Sequence, residues 1–321
     1  MTRGRSYVGI SGWRYPPWRG VFYPTGLTQA AELSFASREF ASVEINGSFY
    51  SLMRPESYQS WYEQTPEDFL FAVKGGRYIT HLKRLNDVDL ALANFFASGV
   101  LRLRHKLGPF LWQLPPQLSF DPARLRAFFE LLPKSTKDAA ALARGHDQRL
   151  IGRSETHALV DMPLRHALEV RSATFVQPAF IDLLREYGIA ACVADSAGLF
   201  PCIFDVTADF VYVRLHGATE LYTSGYGPKA LEGWAARVNT WLEGDSLPAA
   251  QLISPAPRSL PRDVFVYFDN DVKVRAPFDA LNLRRLLAGQ RPKRVPPVLA
   301  TVTETPFSDW SRWKGIGQKR R

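Results

Sequence analysis

Runs in which aliphatic and polar residues alternate recur along the chain, and the sharpest is Phe210-Val-Tyr-Val-Arg-Leu-His-Gly217. Val211, Val213 and Leu215 share one parity and Tyr212, Arg214 and His216 the other, a period of two that predicts a strand with unlike faces. A strand buried on both faces keeps charge off both. Here one face ends in an arginine and a histidine, and polar groups at the ends of several such runs point to one shared site. The same pattern predicts strands over Tyr7–Trp13, Ser42–Tyr50, Phe69–Lys74, Pro109–Leu114, His166–Arg171, Ile189–Asp195 and Val264–Asp269.

Helical patterns fall between them. Thr28–Phe40 carries apolar residues suited to packing on a sheet, and Pro55–Gln64 opens with a proline at its first turn. Asp87–Leu103 has Leu90, Ala91, Phe95 and Leu101 along one stripe. Asp121 caps a helix from Pro122 to about Leu132, Gln177–Tyr187 is stopped by Gly188, and Pro228–Leu242 and Pro277–Leu287 complete the series. An extra stretch, Lys134–Arg165, holds a helix around Asp138–Arg144, whereas Ser196–Asp209 leaves little room for one.

Eight strands alternating with helices, without a domain linker, predict a single closed (β/α)8 barrel over residues 1–288, irregular around its sixth helix. A doubly wound open sheet is the alternative. Against it, Gly9, Gly12 and Gly20 lack the spacing of a dinucleotide-binding turn.

Composition adds limits. With 46% hydrophobic residues in 321, a sizeable core is available, and two cysteines make neither a disulfide framework nor a metal cluster. The chain opens on a short polar stretch before its first strand, without the pattern of a secretory leader, and no run is long enough to span a membrane. A cytoplasmic location is expected. The net charge is +9, but from Gly289 onward eight basic residues face only Glu304 and Asp309, so +6 lies in residues 289–321 and +3 in the rest. That tail, with prolines at its start and Trp310 and Trp313 to pin it, reads as a weakly ordered basic segment.

Eight ordered segments, GISGWRYPPWRGVFYP from Gly9, VEINGSFY from Val43, FAVKGGRYITHLKRL from Phe71, LGPFLWQLPP from Leu107, LEVR from Leu168, VADSAG from Val193, FVYVRLHG from Phe210 and VFVYFDND from Val264, carry a resemblance. In this order they resemble the YecE-like proteins, domain-of-unknown-function family 72, from about Tyr7 to Leu287. The resemblance implies a TIM-like barrel and no particular chemistry. The chain departs from it at Gly47-Ser48, where members often carry a serine, threonine pair, and at Ser172-Ala173, where they often have His-Pro.

In such a barrel the C-terminal strand ends and the loops after them make the active site. Glu44, Asn46, Lys74, Gln113, Glu169, Arg171, Asp195, Arg214, His216 and Asn270 are thus expected to converge on one mouth. Lys74, Arg171 and Arg214 would form an anion clamp. Glu44, Glu169, Asp195 and His216 would handle protons, with His81 a loop histidine able to join them. Trp13, Tyr50, Tyr222 and Tyr226, with Tyr15, Trp18, Phe49 and Tyr78, supply aromatic faces suited to sugars or bases, or else a lid packed on itself.

The plainer alternative is a self-satisfied ion-pair network, such as Glu169 with Arg171 or Asp195 with Arg214; stability alone would favour apolar residues there. Too few histidines stand at strand ends for a multi-zinc site, though a single Mg²⁺ or Mn²⁺ held by Glu44, Glu169 or Asp195 stays open. Gln113 and Arg214 or His216 stand where barrel glycosidases carry paired carboxylates. The leading expectation is a hydrolase or isomerase using general acid/base chemistry on a small anionic substrate, a phosphorylated or acidic sugar derivative. The alternative is a nucleic-acid-binding or processing protein that uses the aromatic mouth and basic tail. Oligomeric state is left open.

Overall fold

A computed structural model describes residues 3–271 and 274–294. The strands are β1 Ser6–Ser11, β2 Ser42–Ile45, β3 Leu70–Lys74, β4 Leu107–Gln113, β5 His166–Glu169, β6 Ala190–Asp195, β7 Phe210–Leu215 and β8 Asp263–Phe268. All are parallel and close into a barrel in chain order, β1 meeting β8 from Ser6 opposite Val264 to Ile10 opposite Phe268. The helices are α1 Glu32–Glu39, α2 Gly47–Tyr50, α3 Pro55–Gln64, α4 Asp89–Ala97, α5 Pro122–Leu131, α6 Thr136–Ala143, α7 Pro178–Tyr187, α8 Pro228–Glu243 and α9 Arg275–Leu287. Residues 196–209 join β6 to β7 without a helix, as their length and composition predict.

Local chemistry fixes the ends. The Asp121 carboxylate accepts from the Arg124 amide at 3.1 Å, satisfying a donor that the first turn of α5 leaves free. Gly188, at φ 64°, takes the left-handed turn that stops α7. Several predicted elements are shorter than expected, two of them because a turn breaks the pattern. The long helix from Asp87 ends at Ala97 and continues as a 3₁₀ segment, Val100–Lys106, because Gly99 turns at φ 109°. A Cβ at Gly99 would lie 2.4 Å from Pro55 Cα, so only glycine admits this close approach to α3. The second strand stops at Ile45 rather than Tyr50, and residues 47–50 coil into α2, where Ser48 Oγ donates to the Lys74 carbonyl at 2.7 Å.

The barrel has two distinct cores. Outward residues such as Val43, Phe71, Trp112, Val213 and Val266 pack under the helices. Inward residues form a separate cluster in which Phe210, Tyr212, Phe265 and Tyr267 of β7 and β8 lean against Ala72, Ala167, Ala190, Cys192 and Ala194 across the lumen. Large side chains from one side filling space left by small ones on the other make the lower barrel solid. A ligand therefore has access only above it, at the C-terminal strand ends. The tail from residue 295, with Trp310 and Trp313, lies outside the described residues, as does any contact it makes with nucleic acid. Among the described residues no helix is long and apolar enough to cross a membrane.

Candidate active site

Continuing the inward parity of each strand upward places Ser11, Glu44, Lys74, Gln113, Glu169, Arg214 and His216 around the mouth, together with Asp269 just past β8. Arg214 is the hub. Its Nη1 donates to Glu169 Oε2 at 2.8 Å, and its Nη2 reaches Glu44 Oε1 at 2.8 Å, Asp269 Oδ2 at 2.9 Å and Ser11 Oγ at 3.1 Å. Ala194 and Tyr267 flank it in the register, one small and one large. Burial would lower the guanidinium pKa, but Glu44, Asp269 and Glu169 outweigh burial and raise it well above its ordinary value.

Each carboxylate is held further. Glu169 Oε1 accepts from Gln113 Nε2 at 2.8 Å and from Arg171 Nε at 2.9 Å. Burial works to raise the Glu169 pKa; Arg171, Arg214, His216 and Lys74 overcome it and hold the carboxyl well below the usual range. Glu44 accepts from Ser11 Oγ and, at 2.6 Å, from the Tyr212 hydroxyl beneath it. Asn46 Nδ2 donates to Ser11 Oγ at 2.8 Å. Asp269 Oδ2 also faces His216 Nδ1 at 3.0 Å, and Arg214 and His216 overcome burial to depress its pKa. His216 Nε2 is buried with no hydrogen-bond partner among the described residues, and Glu169 Oε1 stands 3.8 Å away.

The rim is more open. Arg171 Nη2 donates to the Tyr222 hydroxyl at 3.2 Å, and the Tyr222 ring stands edge-on to His216 at 5.4 Å. Lys74 Nζ lies 4.3 Å from the centre of the Phe49 ring. Burial, then Arg214, lower its pKa to about 8. His81 sits in a π-turn, Tyr78–Leu82, edge-on to Phe49, and burial followed by Lys74 lowers its pKa to about 4. It is neutral near pH 7, which makes it a poor shuttle there. Tyr50 is 60% exposed on the rim.

Several expected members stand elsewhere. Asp195 is of outward parity, because Ala194 is the residue of β6 that faces the lumen; its Oδ2 accepts from the Tyr226 hydroxyl at 3.1 Å. The Asp195 pair with Arg214 does not form. Asn270 likewise points away from the mouth, donating to Asp279 Oδ2 at 2.9 Å and to the Ser224 carbonyl at 3.0 Å. Tyr226 is buried in that same outer network, where its hydroxyl also receives the Gly217 amide at 3.1 Å. Trp13 is buried edge-on against Trp61 of α3, and Trp18 is wholly enclosed, so neither offers a free face.

The clamp changes too. Arg214 is 1% exposed and encircled by carboxylates, which leaves Arg171 and Lys74 to meet an anion. Among the described residues no three histidine, cysteine or acidic side chains gather as metal ligands. Glu44 and Glu169 converge instead on a guanidinium that takes the central position a cation would need.

Asp269 and Ser11, neither of them expected at the mouth, complete the hub, together with Tyr212, expected only to share a face with Arg214 and His216.

A parallel eight-stranded barrel with a buried guanidinium, carboxylate and imidazole network at its C-terminal mouth belongs to the (β/α)8 class that places its chemistry at that end. Within that class the chain belongs to the DUF72 family, whose model, described as protein of unknown function DUF72, matches residues 7–302. It is similar to UPF0759 protein YecE of Escherichia coli (strain K12), 32% identical over 126 residues, which are 39% of this chain and 43% of that protein. The match thus spans less than half the length of that relative. UPF0759 protein YunF of Bacillus subtilis (strain 168) is 24% identical over 262 residues, 73% of this chain and 83% of that one. Among solved structures, a DUF72 family protein from Thermotoga maritima MSB8 superposes with a TM-score of 0.65 at 23% identity, covering 88% of this chain and 99% of its own. One from Enterococcus faecalis V583 gives 0.64 at 15%, covering 88% and 95%. These structural likenesses establish the fold.

Proposed function

We propose that the protein is an enzyme using general acid/base chemistry on a small anionic, sugar-like substrate, by hydrolysis or isomerisation. The observation that carries the reading is the His216 and Asp269 pair. A carboxylate holds one ring nitrogen while the other, Nε2, has no partner among the described residues. That is the arrangement of a proton-transfer imidazole oriented by an acid.

Arg214 serves as the fixed counter-charge that keeps Glu169 and Asp269 ionised in a buried setting and also pairs with Glu44. Replacing such a network with apolar residues would cost a barrel nothing in stability, so its presence favours a chemical role. Arg171, whose Nη2 reaches the rim at Tyr222, takes the substrate anion.

Thermal stability of the metal-stripped protein tests this against sugar phosphates, sugar acids, nucleotides and short oligonucleotides, each with and without Mg²⁺, Mn²⁺ or Zn²⁺. A ligand at a hundredfold excess over its Kd stabilises the native state by about 2.7 kcal/mol, a shift of several degrees. A shift from a small anion that Arg171→Met abolishes supports the reading. Shifts from oligonucleotides alone, or an anion shift that survives in Arg171→Met, overturn it.

A further inference from the structure

We propose that Lys74 forms a Schiff base with the carbonyl carbon of its substrate, so that the mouth acts on an anionic aldehyde or ketone. This rests on the reading above that a small anion binds there.

Two buried lysines in the same chain make the contrast. Lys106, 2% exposed, donates to the carbonyls of Tyr62 and Thr65 at 2.7 and 2.8 Å and reaches Thr65 Oγ1 at 3.4 Å. Its ammonium is satisfied, and its place is structural. Lys74 is 8% exposed, yet among the described residues its Nζ has no hydrogen-bond acceptor and no carboxylate within 4.0 Å. It rests over the Phe49 ring instead, at the inward end of β3. Its side chain is buried as far as an ammonium that no described protein group holds and that is not sealed from solvent, the placement a nucleophile facing the mouth needs.

The charges that reach Lys74 most strongly are Arg214, Glu44, Asp269 and Glu169, and His81 in turn feels Lys74. Burial and Arg214 dominate, and the resulting pKa of about 8 leaves roughly a tenth of the amine neutral at pH 7, a few hundred times more than an ordinary lysine. Neutral amine is the nucleophile. The backbone beneath it is pinned. Ser48 Oγ donates to the Lys74 carbonyl at 2.7 Å, and the Gly75 amide donates to the Leu111 carbonyl at 2.8 Å. The side chain is thus anchored at its base, with the Phe49 ring beside its ammonium.

The step balances without a redox partner. Neutral Nζ adds to the carbonyl carbon as the C=O π pair moves onto oxygen, and one proton passes from the new ammonium to that oxygen to give a neutral carbinolamine. The C–O bond then breaks and the oxygen leaves as water, its second proton coming from His216 or solvent. The product is a protonated imine, and returning water reverses the sequence.

The test uses the full chain with D-glyceraldehyde 3-phosphate and sodium cyanoborohydride, which reduces the imine to a stable secondary amine that peptide mass mapping locates. Lys74 should be modified at least tenfold faster than the exposed Lys134 and Lys229, and the modification should vanish from that peptide in a folded Lys74→Arg variant. Modification no faster than at Lys134 and Lys229 overturns the inference. The thermal shift with glycerol 3-phosphate, which has no carbonyl, keeps the two readings apart. A shift without selective modification discards the Schiff base and leaves the anion site standing, whereas no shift and no modification discards both.

Discussion

His216 and Asp269 face each other across the β7–β8 pair, with imidazole Nδ1 3.0 Å from carboxylate Oδ2. Asp269 is held ionised, chiefly by Arg214 against the opposing effect of burial, so it accepts and Nδ1 carries a proton. Nitrogen NMR of the histidine ring should show Nδ1 protonated near neutral pH in the native protein. In Asp269→Asn the amide can present either end, and a mixture of tautomers is expected. Any turnover identified by ligand screening should fall by about 10²- to 10⁴-fold in that variant. An unchanged tautomer and rate would remove Asp269 from the mechanism.

Arg214 is bound to the fold as much as to the chemistry. Arg214→Met would leave Glu44, Glu169 and Asp269 buried without their shared partner, a loss of about 3–5 kcal/mol. Arg214→Lys should recover little, since one ammonium lacks the fork that bridges three carboxylates. The sign of the pH response discriminates. Glu169 and Asp269 have depressed pKa values, so their contribution in the native protein is present above their unfolded values near 4 and lost as pH falls through the folded ones. In Arg214→Met the unpaired carboxyls gain from protonation, so the stability deficit relative to the native protein should narrow as pH falls from 7 to 5. Urea denaturation at both values measures it.

The barrel and the ends of most elements were legible because strands alternating with capped helices announce themselves. What was not legible was parity on two strands. On β6, Ala190-Ala-Cys-Val-Ala194 is small and apolar on both faces, and on β8, Val264-Phe-Val-Tyr-Phe268 is large and apolar on both. Alternation carries no signal when both faces are buried. A slip of one residue then exchanges the inner face for the outer, which is why Asp195 and Asn270 were expected at the mouth and Asp269 was not. On β7 the polar set Tyr212, Arg214 and His216 fixed the face, and those residues do line the lumen. Pairing β8 against β7, with Arg214 opposite Tyr267, supplies the missing parity. Ser11 gave no signal because, within the strand predicted over Tyr7–Trp13, it shares its parity with Tyr7, Gly9 and Trp13, which mark no charged face.

Gly75 connects core packing to the mouth. A Cβ there would lie 2.2 Å from Trp112 Cε3, and the indole is wholly buried with Phe95 and Phe128 packed against it. The ring has nowhere to move. Gly75→Ala should cost about 1–3 kcal/mol by urea denaturation. It should also displace the neighbouring Lys74, lowering any anion-induced thermal shift. An alanine variant as stable as the native protein would mean that this part of the barrel yields more readily than its packing implies.

His166 gives the clearest pH dependence outside the site. Its Nδ1 accepts from Trp112 Nε1 at 3.2 Å and its Nε2 donates to the Pro133 carbonyl at 2.8 Å, so the neutral ring satisfies both neighbours. A second ring proton would face the indole N–H. Burial lowers its pKa to about 4, with the Pro133 carbonyl acting weakly the other way. Between that value and about 6.5, the unfolded chain takes up a proton that the folded one does not. Stability from this group is therefore complete above about pH 6.5 and declines as pH falls toward 4, by an amount on the order of 3 kcal/mol. Gln in its place keeps a donor for Pro133 and an acceptor for Trp112 but does not titrate. Urea denaturation at pH 7 and pH 4.5 should show His166→Gln losing less stability than the native protein over that interval. Equal losses would show that His166 takes up its proton without penalty in the fold.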